Sequence, residues 1–339
     1  MSEDAYRAAG VDVAASELAV RRYQEAAGIA WRPEVMGAIG HFAGLFRLGG
    51  GEGQVLVAGA DGVGSKLLLA AQLGQLDDIG VDLVAHLVND LLTVGARPLF
   101  VLDYLAVDRL DPEQAARIVA SVAKGCRDAG CALLGGETAE LPDMLRPGVL
   151  DLAGFAVGTV AAEGVISGGA IRPGHRVLAL ASHGFHANGY SLIRKIVSAS
   201  GLDLHKPRQP GLPALGVELL TPTRSYLGPV QDVLGLPLSG LAHVTGGGIG
   251  GNLIRILPEG CRAVIEQDRW AEPGLSQFIR SRAGLSQEAV RHVFNLGVGF
   301  VMVVPKEAAA DLVAALERSG ETAFEIGRIE AGKRAVVWQ

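Results

Sequence analysis

The turn within residues 55–66, VLVAGADGVGSK, constrains this chain more than any other feature. Its apolar half has the composition of a β-strand, and a helical pattern begins directly after it. A strand therefore delivers Asp61 and Lys66 to one turn, with two glycines between them. Exposed N–H groups and a lysine suit phosphate, and an aspartate suits the divalent cation that phosphate binds. The turn predicts a metal-nucleotide site, with a solvated tight turn as the alternative.

Two other segments each present an acid. Residues 79–94 read as a helix whose polar face carries Asp90, and Glu137 follows a short strand that ends in two glycines. If the fold brings these acids together with Asp61, their mutual repulsion requires a bound cation to neutralise it. Mg²⁺ that bridges carboxylates and substrate phosphates is the common case. From spacing alone, a solvated helix face is the favoured explanation of Asp90.

Histidines lie in two loops of the second half. His186 and Asn188 follow an apolar strand at 177–181, and His243 precedes the richest glycine cluster, residues 246–251. Histidine at neutral pH donates to phosphate oxygens or acts as an acid or base. A lone loop histidine is more often a surface residue, so the pattern leaves both interpretations open.

The glycine cluster also admits a different class of protein. Gly246, Gly248 and Gly251 satisfy GxGxxG, and two acids follow at Glu266 and Asp268, where a ribose-binding carboxylate belongs. An NAD-dependent oxidoreductase is therefore an alternative. Its context is poor, because the helix after the glycines would be short and the strand before them weak.

Length and composition bound the remaining possibilities. A chain of 339 residues suits two domains, and the glycine-rich stretch 164–174 divides it into residues 1–165 and 170–339. Alternating strand and helix patterns over residues 262–329 predict the core of the second domain, and the chain as a whole is expected to be α/β (α+β). A net charge of −6 argues against nucleic acid, and three cysteines without a CxxC pattern indicate reduced thiols in the cytoplasm. No signal peptide and no membrane-spanning segment are expected.

Several motifs in one order carry a resemblance. They are AGVD at 9–12, RPEV at 32–35, DGVGSK at 61–66, VND at 88–90, GGETAE at 135–140, HANGYSL at 186–192, PTR at 222–224, HVTGGG at 243–248 and FN at 294–295. Over residues 6–329 the chain resembles the phosphoribosylformylglycinamidine cyclo-ligases, the aminoimidazole ribotide synthetases of purine biosynthesis. So many motifs in order are far more specific than any one alone.

The resemblance implies an ATP-dependent ligase that closes formylglycinamidine ribonucleotide to aminoimidazole ribonucleotide, releasing ADP and phosphate. It implies Asp61, Asp90 and Glu137 as Mg²⁺ ligands. The nucleotide-site residues that it implies are Asp61, Gly62, Gly64, Ser65, Lys66, Asn89, Asp90, Gly136, Glu137 and Thr138. His186, Asn188, His243 and Lys66 become candidates for substrate-phosphate, phosphoryl or transition-state contacts.

The family also implies the architecture. Its two-domain ATP-binding fold pairs the first domains of a homodimer, so that their sheets form a barrel-like core, and an α/β second domain covers the site. This chain departs from the family at His41 and Ala43, where glycines are usual, at Ser65 for threonine, and at Ala187 for serine. Ser65 keeps the hydroxyl, whereas Ala43 forbids backbone conformations that glycine allows.

Four further alternatives to the cyclo-ligase function remain. Thiamine-monophosphate kinases and selenophosphate synthetases share an ATP site of this type, as does glycinamidine synthetase. A selenium enzyme is expected to carry a reactive cysteine near its N-terminus, and this chain has none before Cys126. A dimeric scaffold with a degenerate site is disfavoured because all three acids and Lys66 are present.

Overall fold

The computed structural model describes residues 13–37, 39–49 and 53–339, so the motif at 9–12 lies outside the described residues. The first elements are helix α1 (Val13–Ala27) and two short strands, β1 (Val35–Met36) and β2 (Gly44–Arg47). Between these strands lies the loop that contains His41 and Ala43. No helix among the described residues is long and apolar enough to cross a membrane.

The first sheet has six strands. Its further members are β3 (Gln54–Gly62), β4 (Arg97–Val107), β5 (Ala132–Glu140) and β6 (Leu150–Ala161), in the order β1-β2-β3-β6-β4-β5. All neighbours are antiparallel except β4 and β5. Three helices follow the strands along the chain: α2 (Lys66–Leu73), α3 (Ile79–Leu92) and α4 (Pro112–Asp128).

Helix α3 packs on one face of this sheet, against β3, β4 and β6. Glycines in β6 permit the close approach, since a Cβ on Gly154 would lie 2.9 Å from the Leu87 side chain. The strand alternates strictly, with Leu152 and Ala156 buried and Phe155 exposed on the opposite face. The alternation gives the first domain one face covered by helix α3 and an opposite face on which Phe155 is left exposed by the described residues.

Helix α4 forms where the sequence predicts it. Its N-cap, Asp111, accepts hydrogen bonds from the backbone N–H groups of Glu113 and Gln114, and Pro112 occupies the first turn. Gly130, at φ +65°, ends the helix as the predicted C-terminal stop. This part of the sequence prediction is confirmed because every signal in it is local.

The second sheet also has six strands. They are β7 (Arg176–Ala181), β8 (Gly240–His243), β9 (Cys261–Ile265), β10 (Val298–Val304), β11 (Ala323–Ala331) and β12 (Ala335–Trp338), in the order β12-β9-β11-β7-β10-β8. The helices are α5 (Tyr190–Ala199), α6 (Leu215–Leu219), α7 (Leu227–Val233), α8 (Gly248–Leu253), α9 (Gly274–Arg282), α10 (Gln287–Val290) and α11 (Ala309–Arg318). Every residue of β10 is buried.

This topology excludes the dinucleotide-binding interpretation of the glycine cluster. A Rossmann site needs a parallel βαβ unit with a full helix after the glycines. Here β8 pairs antiparallel with β10, and α8 has only six residues. The oxidoreductase alternative is therefore wrong, and the glycines serve a loop between a short strand and a short helix.

Candidate active site

A loop of the second domain, residues 221–226, docks on helices α2 and α3 of the first. The Lys66 Nζ donates to Asp82 Oδ1 and to the Thr221 carbonyl, both at 2.8 Å. Thr223 donates to the same Asp82 oxygen from its backbone N–H and its hydroxyl, at 2.8 and 2.6 Å. Burial lowers the pKa of Lys66, and the Asp82 carboxylate opposes that shift. The lysine predicted to contact phosphate thus lies in a buried ion pair, and its phosphate contact stays a prediction.

Asn89 holds the same loop about two helical turns further along α3 than Asp82. Its Nδ2 donates to the Arg224 carbonyl, and its Oδ1 accepts from the Tyr226 N–H, both at 2.9 Å. The side chain is fully buried. Its assignment to the nucleotide site stays a prediction, while its contacts here join the two domains.

Two carboxylate-histidine pairs meet where the domains face each other. His243, from β8, lies 2.8 Å through Nδ1 from Asp90 Oδ1, and His86 lies 3.4 Å through Nδ1 from Asp61 Oδ2. The two imidazole rings meet edge to face, with their centroids 5.2 Å apart. The structure thus brings together Asp61, Asp90 and His243, which the sequence offered separately as metal-ligand and substrate-contact candidates; their roles stay predictions. Sequence reasoning missed His86 as a site residue, although its place one turn before Asp90 on α3 was a signal.

The two histidines have opposite pKa shifts. Burial lowers the pKa of His243, and this outweighs the opposing carboxylate of Asp90. Burial also acts on His86, but there the Asp61 carboxylate, with Asp82 and Asp90 beyond it, outweighs it and raises the pKa. The hydrogen bond from His86 holds the pKa of Asp61 below its usual value against desolvation. One imidazole therefore favours the charged form and the other the neutral form.

Asp61 and Asp90 keep part of their carboxylates open to the cleft, with 37% and 15% of their side chains exposed. Mg²⁺ commonly takes one or two carboxylates and completes its shell with water and substrate phosphates. Burial lowers the pKa of Arg255, and the charges of Asp90 and Asp61 oppose that shift, so the guanidinium lies within electrostatic range of both aspartates. The pair therefore fits a magnesium-nucleotide complex, with the two aspartates as the residues that would hold the ion.

Glu137 does not join this pair within one chain. The sheet register aligns Asp61 with Gly154 on β6, Gly154 with Asp103 on β4, and Asp103 with Gly136 on β5. Three strand spacings thus separate Asp61 from the exposed segment that carries Gly136, Glu137 and Thr138, about 14 Å. Among the described residues, no group of three His, Cys, Asp or Glu side chains is placed to hold a metal ion.

The second domain contributes the loop before helix α5. His186 is fully buried at φ +60°, and its Nε2 accepts from the His183 N–H at 3.2 Å. The Nδ1 of His186 and the Nδ2 of Asn188 are buried without a partner in the part of the chain that the structure describes. Ser191 contacts Ser65 through the two hydroxyls at 3.1 Å. Buried polar atoms without partners suit a ligand that supplies them, so this loop is the candidate substrate side of the cleft.

His186 is expected to make stability depend on pH. Burial, reinforced by His243, His86 and Lys66, lowers its pKa well below the ordinary value. The unfolded chain then binds a proton that the folded chain refuses, so stability is lost as pH falls below about 6.5. His186→Asn, which tolerates positive φ, is expected to flatten this loss by up to about 1.4 kcal/mol per pH unit. Urea unfolding between pH 8 and 5 measures both slopes, and equal slopes would contradict the assignment.

A groove of about 940 Å³ lies beside the 39–44 loop, whose residues form part of its lining. Its walls include Trp31, His41 and Phe42, and its floor includes Leu45 and Leu56 from strands β2 and β3. This volume is typical of sites that hold a nucleotide-sized ligand, and the apolar floor suits an aromatic base. The loop therefore separates an apolar groove from the cleft of Asp61 and Asp90.

The family models that match cover most of the chain. Residues 40–160 match the model described as AIR synthase related protein, N-terminal domain, and residues 172–339 match its C-terminal domain. These two domains, joined across the carboxylate-histidine cleft, define the class as the AIR synthase related proteins.

Full-length relatives refine the class. A phosphoribosylformylglycinamidine cyclo-ligase of Myxococcus xanthus (strain DK1622) is 46% identical over 335 residues, covering 97% of this chain and 96% of the relative. One of Bacillus pumilus (strain SAFR-032) is 46% identical over 337 residues, covering 98% and 97%. The chain belongs to the phosphoribosylformylglycinamidine cyclo-ligase family.

Solved structures share the fold at greater distance. Thiamine-monophosphate kinase from Stenotrophomonas maltophilia K279a aligns with a TM-score of 0.65 at 20% identity, covering 92% of this chain and 93% of that one. The hydrogenase maturation protein HypE in complex with ATP aligns with a TM-score of 0.63 at 20% identity, covering 86% and 83%. These similarities confirm the two-domain fold that the motifs implied.

Proposed function

We propose that this protein uses ATP to cyclise formylglycinamidine ribonucleotide to aminoimidazole ribonucleotide, releasing ADP and phosphate. The observation that carries the proposal is the cleft in which Asp61, Asp90 and two histidines of a cyclo-ligase family member meet the loop of His186 and Asn188. The first domain supplies the acids, and the second supplies His243 and the loop.

The reaction requires an activated oxygen and a positioned nucleophile. The γ-phosphoryl group of ATP is transferred to the formyl oxygen, the ribosyl-bearing amidine nitrogen attacks the formyl carbon, and phosphate then leaves with that oxygen. Bound Mg²⁺ would neutralise charge on the triphosphate. Asp61 and Asp90 are the residues proposed to hold it. Each carboxylate is held in place by its histidine.

The histidines divide the proton chemistry between them. His86, whose pKa is raised, is proposed to donate toward negative charge that develops on phosphate oxygens. His243, whose pKa is lowered, stays neutral and is proposed to accept a proton from the attacking amidine nitrogen. Asp90 fixes the His243 ring through Nδ1, and Nε2, which lies 3.5 Å from Asn89 Nδ2, is the atom proposed for this task.

The second domain is proposed to hold the substrate phosphate. Helix α5 begins at Tyr190 with a glycine at its N-cap and no side chain capping its first turn, so its positive end faces the loop. Asn188 Nδ2 and the Ser191 hydroxyl are the donors nearest that end. These groups recognise a phosphomonoester, the end of the substrate opposite the formyl group.

The uncovered face of the first sheet is proposed to form a homodimer. Leu99 and Leu102 on β4, Leu134 on β5 and Phe155 on β6 are all exposed large apolar side chains of this sheet. A contiguous apolar face of this kind marks an association surface, and two such sheets would close into the barrel-like core that the family implies. Glu137, at the edge of the same sheet, is proposed to complete the nucleotide site of the partner subunit.

Phe155→Lys is expected to convert the dimer into monomers at micromolar concentration, because it buries a charge in the centre of the apolar face. Sedimentation velocity measures the change, and ATP turnover is expected to fall with it. Val217→Lys is the matched control, since Val217 is an exposed apolar residue on α6 in the second domain. A monomeric wild type, or a variant that stays dimeric, would reject this interface.

We also propose a cytoplasmic location. The three cysteines, Cys126, Cys131 and Cys261, are free thiols in the structure, as expected in a reducing compartment.

The proposed function is tested by measuring ADP release from ATP and Mg²⁺ with and without formylglycinamidine ribonucleotide, while the aminoimidazole product is followed in the same sample. Release that depends on this substrate and matches product one to one is the expected result. Thiamine monophosphate and selenide serve as competing substrates. ADP release with either of these, or none with all three, would refute the cyclo-ligase function and leave the fold intact.

A further inference from the structure

Arg255 of the second domain contacts the 39–44 loop of the first domain, the loop between the groove and the cleft. Its guanidinium carbon lies 3.8 Å from the centre of the Phe42 ring, and its Nε donates to the Gly40 carbonyl at 3.2 Å. Phe42 is only 7% exposed. A stacked cation and a directed hydrogen bond therefore fix this loop from across the domain boundary.

The same guanidinium reaches a second loop on its other side. Its Nη1 donates to Asn252 Oδ1 at 3.4 Å. The Asn252 side chain is fully buried, and its Nδ2 donates to the carbonyls of Thr245, Gly246 and Gly248, at 3.3, 3.3 and 2.8 Å. Asn252 thereby sets the backbone of residues 245–248, the glycine loop that follows His243.

These two loops border the two halves of the cleft. The loop held by Phe42 carries His41, whose Nδ1 is buried and without a partner among the described residues. The loop set by Asn252 faces the substrate side, since a Cβ on Gly246 would lie 3.7 Å from Asn188 Oδ1. One chain of contacts thus runs from the nucleotide side through Arg255 to the substrate side.

We propose that Arg255 is a positioning residue that couples binding of the nucleotide to binding of the ribonucleotide substrate. The proposal rests on the proposed function for the identity of the two ligands. When either ligand orders its loop, Arg255 holds the other loop in the geometry that its own ligand needs, so each ligand tightens the other. Thermodynamic linkage requires the two effects to be equal.

The chemistry of arginine explains why this residue performs the task. Its planar guanidinium stacks on Phe42 while its N–H groups point in fixed directions to Gly40 and Asn252. Lysine keeps the charge but has neither the plane nor the fork, so Arg255→Lys separates geometry from electrostatics. Arg334 provides a matched control, because it donates to the carbonyl of the adjacent Ile254 without contacting either loop.

The test is a pair of binding isotherms for an ATP analogue with a methylene β–γ bridge, measured by calorimetry with and without saturating formylglycinamidine ribonucleotide. In the wild type and in Arg334→Ala, the substrate is expected to lower the Kd of the analogue about tenfold or more. In Arg255→Lys and Phe42→Leu this factor is expected to fall close to one. Circular dichroism and thermal unfolding establish that each variant is folded.

Several outcomes would overturn the proposal. If the substrate still lowers the Kd of the analogue about tenfold in Arg255→Lys and Phe42→Leu, these contacts do not transmit the coupling. If the substrate leaves that Kd unchanged in the wild type, no coupling exists. Loss of coupling in Arg334→Ala as well would assign the effect to general disturbance of this turn. The proposed function is judged separately, by substrate-dependent ADP release from the wild type, so failure of one is distinguishable from failure of the other.

Discussion

Asp90→Asn is expected to lower kcat by about 10³-fold while the protein stays folded. The substitution removes a carboxylate charge that would hold Mg²⁺ and that fixes His243 through its Nδ1 at 2.8 Å. Asparagine is nearly isosteric and its oxygen still accepts a hydrogen bond, so the loss reflects charge rather than packing. Steady-state turnover with saturating ATP and substrate is the measurement.

The Mg²⁺ dependence of the same variant separates the two roles of Asp90. If the carboxylate acts mainly on the metal, excess Mg²⁺ is expected to restore part of the rate. If it acts mainly by orienting His243, the loss is independent of Mg²⁺. Asp128→Asn is the matched control, since this carboxylate is exposed at the end of helix α4 and ion-paired only to the neighbouring Arg127. A kcat within threefold of wild type in Asp90→Asn would remove Asp90 from the active site.

Local signals in the sequence were sufficient to predict the individual strand and helix that carry the acids of the cleft. The strand that carries Asp61 and the helix that carries Asp90 are both where the pattern predicts them, because periodicity and turn residues determine them locally. His86 belongs to the same helix face. It could have been assigned to the site by its spacing of one turn from Asp90.

Strand order was beyond the reach of the sequence. Asp61 and Glu137 each follow a strand and glycines, so their patterns are alike, but β6 and β4 lie between β3 and β5. The pairing of β3 with β6 joins segments about 100 residues apart, as at Val55 and Val160. Nothing in the local pattern encodes such a distant pairing. The three acids therefore read as one site, although a single chain brings Asp61 and Asp90 together and keeps Glu137 about 14 Å away.

Contacts between the domains also override local propensity. The pattern after Pro222 predicts a helix from Thr223, whereas α7 begins at Leu227. The N–H groups of Thr223 and Tyr226 are instead satisfied by the side chains of Asp82 and Asn89 on α3. Those partners lie more than one hundred residues earlier, so the extended loop is a product of the tertiary fold.

The same long-range effect changes the meaning of Lys66. Beside glycines, its ammonium indicates phosphate, but the fold surrounds it with Asp82 and the Thr221 carbonyl at 2.8 Å. Lys66→Met is therefore expected to lower the free energy of unfolding by about 3–5 kcal/mol, because it leaves the Asp82 charge buried without its partner. Urea unfolding, followed by both circular dichroism and tryptophan fluorescence, measures the change and detects separate unfolding of the domains.

A double variant and a control at a surface ion pair test whether the loss of stability in Lys66→Met comes from the unpaired buried charge of Asp82. Lys66→Met combined with Asp82→Asn is expected to be less destabilised than the sum of the single changes, because no uncompensated charge remains. Lys124→Met is the matched control: Lys124 also pairs with an aspartate, Asp78, at 2.8 Å, but both side chains are half exposed, so the expected loss is below about 1 kcal/mol. A lysine that mainly contacts phosphate would give the opposite pattern, with stability unchanged and ATP affinity reduced. The two roles of Lys66 are thus distinguished by whether its removal lowers the stability of the fold or only the affinity for ATP.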